Sequence, residues 1–235
     1  MFTLSITFSY QIKICYNSKM IFLSLKTYKE STGEAAIRLL SCVKKVSKET
    51  GVKIIPAVQP TDIYRVKKEL RIEVWAQHMD PIEPGKNMGW LSPYALKEAG
   101  ASGLVINHSE HKMDNAHVKK ILDKAKEYGL KSVICGFDVE MVKTFDSWGP
   151  DFISYEREDM IGTGISMLTK EKENIKYLVS VLKNPLIIGA GISTGEDIRQ
   201  AIKLGAKGAI LASGFVLAKD PEAKLRELAE GFIKK

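Results

Sequence analysis

A chain of 235 residues is the length of one α/β barrel domain or of two small domains, and 45% apolar content is enough for a sizeable core. The formal net charge of +7 suits an anionic ligand, but the lysines and arginines are scattered among acids and the aromatics do not interleave with them, which argues against a nucleic-acid platform. No apolar run approaches the length that spans a bilayer, and three cysteines without a CxxC spacing (Cys15, Cys42 and Cys135) suit free thiols in a reducing cytoplasm.

In the first nineteen residues Leu4, Ile6, Phe8, Tyr10, Ile12 and Ile14 alternate with polar residues, which is strand periodicity. The stretch lacks the basic start and small-residue cleavage site of a signal peptide. It reads either as an added edge strand or oligomer contact, or, more plainly, as a piece upstream of a true start at Met20. Residues 1–19 are therefore set apart as an extension from a single domain over 20–235.

From Met20 the pattern is regular. Apolar runs at 20–25, 53–57, 72–76, 103–106, 132–135, 152–155, 186–189 and 208–212 predict strands. Helical stretches are predicted between and after them, at 33–50, 61–69, 93–99, 114–127, 138–147, 171–182, 194–204 and 221–234. Eight of each in alternation predict an α/β chain closed as a parallel (β/α)8 barrel. Residues 97–105 (KEAGASGLV) and 203–210 (KLGAKGAI) echo each other. In each, the first glycine is expected to end a helix and the second to let helix and sheet pack closely.

The last two strands carry the strongest functional signal. Each runs into small residues, Gly189-Ala190-Gly191 and Ala212-Ser213-Gly214, which let backbone N–H groups approach a ligand. Ser193-Thr194 opens a helix whose N-terminus adds partial positive charge. In a barrel this pair of turns is where a phosphate sits. Polar residues at the other strand ends are Ser24 and Lys26; Gln77, His78 and Asp80; Asn107, His108, Ser109 and Glu110; and Glu156.

Lys26, His108 and Glu156 together suit proton abstraction next to a carbonyl: the carboxylate takes the proton, and imidazole and ammonium stabilise the oxygen of the enediolate. Taken singly, Lys26 could merely pair with Glu110, His108 could be a core histidine and Glu156 could be surface. The three-residue spacing of His108 and His111 lacks the supporting ligands of a metal site, so no metal is expected. Gly162-Thr163-Gly164 reads as a loop hinge or a phosphate-facing turn.

The motifs Leu25-Lys26-Thr27-Tyr28, Ala76-Gln77-His78-Met79-Asp80-Pro81, Asn107-His108-Ser109-Glu110, Tyr155-Glu156, Ile161-Gly162-Thr163-Gly164, Gly189–Gly195 and Ala212-Ser213-Gly214 together resemble the triosephosphate isomerase family in its short archaeal form, over residues 20–234. The resemblance implies a TIM barrel that interconverts dihydroxyacetone phosphate and D-glyceraldehyde 3-phosphate without a cofactor. It implies Glu156 as base and His108 as electrophile, a pairing established for that family. Lys26 would neutralise substrate charge and Glu110 would hold Lys26. Backbone amides of Ile161, Gly162, Gly191, Ala212 and Ser213 would hold the phosphate, with 157–168 as a closing lid and Cys135 as a buried packing residue near the base. A cytoplasmic homodimer or homotetramer is implied, with no nucleic-acid or membrane partner.

Three positions depart from the family pattern. Ser24 stands where the family has asparagine, and Met88 where a threonine reaches into the neighbouring subunit. Arg157-Glu158 replaces a proline-stiffened lid hinge. These departures keep open a paralogue that binds a sugar phosphate without turning it over, and fold alone leaves open other phosphate-binding barrels.

Overall fold

The computed structural model describes residues 19–160 and 167–233; the alternating stretch at 1–18 lies outside them. Eight parallel strands pair in sequence order and close, the eighth on the first: β1 (Met20–Ser24), β2 (Lys53–Val58), β3 (Trp75–Ala76), β4 (Gly103–Ile106), β5 (Lys131–Gly136), β6 (Phe152–Tyr155), β7 (Leu186–Ile188) and β8 (Gly208–Leu211). The closing register sets Met20 opposite Gly208 on one side and Lys53 on the other.

Around the strands run α1 (Glu34–Leu40), α2 (Val43–Thr50), α3 (Pro60–Leu70), α4 (Pro93–Glu98), α5 (Asn115–Glu127), α6 (Val139–Ser147), α7 (Met167–Lys170), α8 (Lys172–Val181), α9 (Gly195–Lys203), α10 (Ser213–Val216) and α11 (Pro221–Glu230). The N-caps Asp114, Asp138 and Asp220 each accept from a backbone N–H three residues on, worth about 1 kcal/mol apiece. No helix among the described residues is long and apolar enough to cross a membrane.

Strand alternation divides the core in two. One set of side chains fills the barrel interior, with Phe22, Trp75 and Phe152 meeting edge-on or tilted at 5.0–6.2 Å between ring centroids. The other set packs outward under the helices.

Four expectations change in detail. The run at 72–76 pairs only at Trp75–Ala76. The helix expected over 33–50 breaks at Ser41 and Cys42, and that over 171–182 is preceded by the separate α7. In the echoed αβ joints Gly100 and Gly205 have φ of 96° and 101°, as expected of helix terminators. Their partners act differently: a Cβ on Gly103 would strike the interior Trp75 ring at 2.6 Å, and one on Gly208 the Met20 carbonyl at 2.4 Å. Those glycines make room between strands and inside the barrel, not under a helix.

Candidate active site

The rim at the strand C-termini is built by the same alternation. Met20 and Phe22 point into the barrel, so Ser24 does too, while Leu25 joins the outer core. Lys26 follows with φ 49°, a left-handed backbone costing about 1–2 kcal/mol in a residue with a Cβ. The Gln77 amide holds that turn by donating to the carbonyls of Lys26 (3.0 Å) and Ala57 (3.1 Å). Lys26 Nζ donates to Glu110 Oε1 at 2.5 Å.

At the end of β4, Asn107 also takes a positive φ, 61°. Its buried amide donates to the Cys135 carbonyl (3.0 Å) and accepts from the Met113 N–H (2.9 Å), which braces the loop that carries His108. The Glu110 N–H donates to His108 Nδ1 at 3.2 Å. In the neutral ring that leaves Nε2 as the N–H donor. His111 takes a different direction: its ring stacks on His78 at 4.2 Å, and His78 in turn contacts Asp80 at 3.2 Å. Burial pushes the His78 imidazole below its ordinary value, His111 adding to the effect and Asp80 opposing it. Among the described residues no group of three acidic, thiol or imidazole side chains is arranged to hold a metal ion.

Glu156, just past β6, is 3% exposed. Its Oε1 accepts from Ser154 Oγ (2.9 Å) and from Cys135 Sγ (3.5 Å). Burial, and then the Glu156 carboxylate, push the Cys135 thiol well above its ordinary value, so it stays a protonated donor. On the third side a Cβ at Gly189 would stand 2.4 Å from Glu156 Cγ. Gly189 therefore serves the carboxylate, and not the close backbone approach to a ligand expected of it.

The opposite side of the rim comes from the last two crossovers. Ala190 and Gly191 are both left-handed, with φ 61° and 69°. After β8 the chain turns at Ala212 into α10. Among the described residues no acceptor meets the backbone N–H of Gly191, Ser213 or Gly214, and all three residues line one cavity. The start of α9 contributes less than expected, because Asp197 caps it from within: its carboxylate accepts from the N–H groups of Ser193 (3.0 Å) and Thr194 (2.8 Å).

That cavity, about 320 Å³, is also lined by Ser24, Lys26, His108 and Glu156. Ala212 lines it as well; Glu110 stands behind Lys26. Ile161 and Gly162 lie outside the described residues, as do Thr163 and Gly164. Tyr28 and Ile192, quoted from sequence within motifs but given no role there, join the lining. The support that the buried Ser154 gives Glu156 is also absent from the sequence reading; its only signal there is a polar residue at an inward position of a buried strand.

The departures from the family pattern have structural substance. Arg157 pairs with Asp159 (3.0 Å) and with the buried Glu171 (2.8 Å), which also accepts from Tyr155 Oη (2.7 Å) and Asn174 Nδ2 (2.6 Å). Burial and Glu171 push the Tyr155 phenol upward. The loop from Asp80 to Leu91 is closed at its neck by Asp80 N–H to the Leu91 carbonyl (2.9 Å) and Leu91 N–H to Asp80 Oδ2 (2.7 Å). Met88, within it, is 99% exposed.

A family model described as triosephosphate isomerase matches residues 19–146, and one described as thiazole biosynthesis protein ThiG matches residues 157–232. The triosephosphate isomerase of Methanothermus fervidus is 42% identical over 214 residues, 89% of this chain and 96% of that protein. That of Methanosarcina barkeri is 41% identical over 213 residues, 88% and 96% of the two chains. A crystal structure of triosephosphate isomerase from Bartonella henselae superposes with a TM-score of 0.71 over 92% of this chain and 99% of that one. At 18% identity it speaks for the fold alone.

Proposed function

We propose, since this chain belongs to the triosephosphate isomerase family, that Glu156, His108 and Lys26 carry out the intramolecular isomerisation of triose phosphates that defines its activity. The observation that supports this assignment is their convergence on one small cavity with the N–H groups of Gly191, Ser213 and Gly214, which meet no acceptor among the described residues.

The phosphate of dihydroxyacetone phosphate or D-glyceraldehyde 3-phosphate occupies the two crossover turns, where donors without acceptors favour an anion. Ala212 belongs to the same cradle; the family resemblance assigns phosphate binding to Ile161 and Gly162 as well, which lie outside the described residues. Glu156 removes a proton from the carbon beside the carbonyl and returns it to the neighbouring carbon. His108 Nε2–H donates to the oxygen on which charge develops, and the Lys26 ammonium, held by Glu110, stabilises the same charge. Ser24 offers its hydroxyl at the cavity wall to orient the substrate. None of these roles requires a cofactor.

We assign a homodimer or homotetramer, in which the loop carrying the fully exposed Met88, with Trp90 57% exposed beside it, is covered by a second copy. Light scattering reads this directly, and a monomer at micromolar concentration contradicts it. The buried free thiols of Cys42 and Cys135 suit a cytoplasmic location.

The test of the base is Glu156→Gln, measured in a coupled assay from D-glyceraldehyde 3-phosphate. The amide cannot accept the proton, so kcat falls by about 10³-fold or more while inorganic phosphate still inhibits competitively. Unchanged turnover would remove Glu156 from the mechanism.

A further inference from the structure

The strand carrying the base has a polar residue where its neighbours in the barrel interior are apolar. In β6 the inward positions are Phe152 and Ser154, with Glu156 next in the alternation. Ser154 is 0% exposed. A hydroxyl desolvated to that degree is costly unless it finds an acceptor, and the acceptor it meets is Oε1 of Glu156, at 2.9 Å. The protonated Cys135 thiol, inward from β5, donates to the same oxygen at 3.5 Å. Gly189, at the end of β7, closes the third side, since a Cβ there would lie 2.6 Å from that oxygen too. Three adjacent strands thus grip one carboxylate oxygen from behind. Lys26 from β1 and His108 from β4 face the cavity that Glu156 also lines.

We propose that Ser154, assisted by Cys135, is a positioning residue for the isomerisation: it ties down Oε1 of Glu156 so that Oε2 is the oxygen that takes and returns the proton. This rests on Glu156 as the base. Two donors on Oε1 use its lone pairs, while Oε2 keeps its own. They also restrict rotation of the carboxyl group about its last torsion, which is otherwise broad. A base held at fixed angle and depth meets the substrate carbon without reorganisation at the moment of transfer. Ser154 touches no substrate, so its effect belongs on the chemical step and not on binding.

The experiment is steady-state kinetics on the full chain. Ser154→Ala removes the stronger donor with little change of volume, and is expected to lower kcat about ten-fold with KM within about two-fold. Inhibition by inorganic phosphate, which reads the anion cradle alone, stays unchanged. Ser154→Cys restores a weak donor of similar shape and recovers part of kcat. In a Glu156→Asp background the shorter carboxylate is drawn away from Ser154, so adding Ser154→Ala changes kcat less than about two-fold. The proposal is overturned by any of three results: kcat unchanged in Ser154→Ala, the same ten-fold loss in the Glu156→Asp background, or KM and phosphate inhibition weakening together with kcat. Failure of the base assignment shows separately, as activity retained in Glu156→Gln.

Discussion

Gly189 and Glu156 share a single volume: the place of a Cβ on the glycine is taken by the carboxylate side chain, 2.4 Å from Cγ and 2.6 Å from Cδ. Gly189→Ala therefore moves the proposed base and not the proposed anion cradle. A displacement of about 1 Å in a reacting group costs on the order of 10²-fold in rate. We expect that loss in kcat, with the inhibition constant of inorganic phosphate unchanged. Equal weakening of both would mean that Gly189 serves the ligand after all.

The same residue shows where sequence reading stops. Buried parallel strands are continuous apolar runs, so seven of the eight strands stand out almost to the residue, and the rim residues follow from strand ends. Ile72 and Val74 are as apolar as a strand and are buried, but the ladder begins only at Trp75, with Val74 giving the sheet one backbone bond, its carbonyl accepting from the Ser102 N–H at 2.9 Å; hydropathy registers burial, not the extent of a ladder. Gly189 is legible as a close approach, yet the partner sits thirty-three positions earlier in the chain and only the barrel brings it near. Ser154 is legible only once Glu156 is known to stand above it. The break at Ser41 and Cys42 leaves the apolar periodicity intact and so leaves no trace.

Ser24 is short for its position. It lines the cavity from β1 where the family carries an asparagine, whose amide would add a donor toward the substrate. One additional hydrogen bond contributes about 0.5–1.5 kcal/mol, so Ser24→Asn is expected to raise kcat/KM by roughly three- to ten-fold in the coupled assay. A decrease would show that the surrounding rim has adapted to serine.

Arg157 replaces the stiffness of a proline with a set of charged contacts. Glu171 is 7% exposed and depends on Arg157, Tyr155 and Asn174 for its partners. Arg157→Ala leaves that carboxylate with its two neutral donors and no cation. The expected loss is about 1–3 kcal/mol of stability in urea unfolding, and Arg157→Lys, which cannot fork between Asp159 and Glu171, recovers only part of it. A substitution neutral in stability would mark these pairs as surface decoration.

The His78 imidazole, held below its ordinary value of 6.5 chiefly by burial, makes stability depend on pH. The folded chain favours the neutral ring, so as pH falls past 6.5 the unfolded chain takes up the proton first. The contribution of neutral His78 is complete above that pH, declines below it, and levels off under the lowered folded value. We expect Tm to fall between pH 7.5 and 5, and to fall less in His78→Gln. Identical slopes for the two proteins would place the pH dependence elsewhere.

Among the described residues four that are not glycine have positive φ, and three of them, Lys26, Asn107 and Ala190, stand at strand ends around the cavity. Each stores about 1–2 kcal/mol that the rest of the barrel must supply. Among the described residues the floor side holds one such residue, Arg71, so the mouth of the molecule carries the larger share of strain, and warming should release the mouth first. Catalytic power is then expected to vanish a few degrees before far-ultraviolet ellipticity does, so that the enzyme goes silent while its barrel still stands.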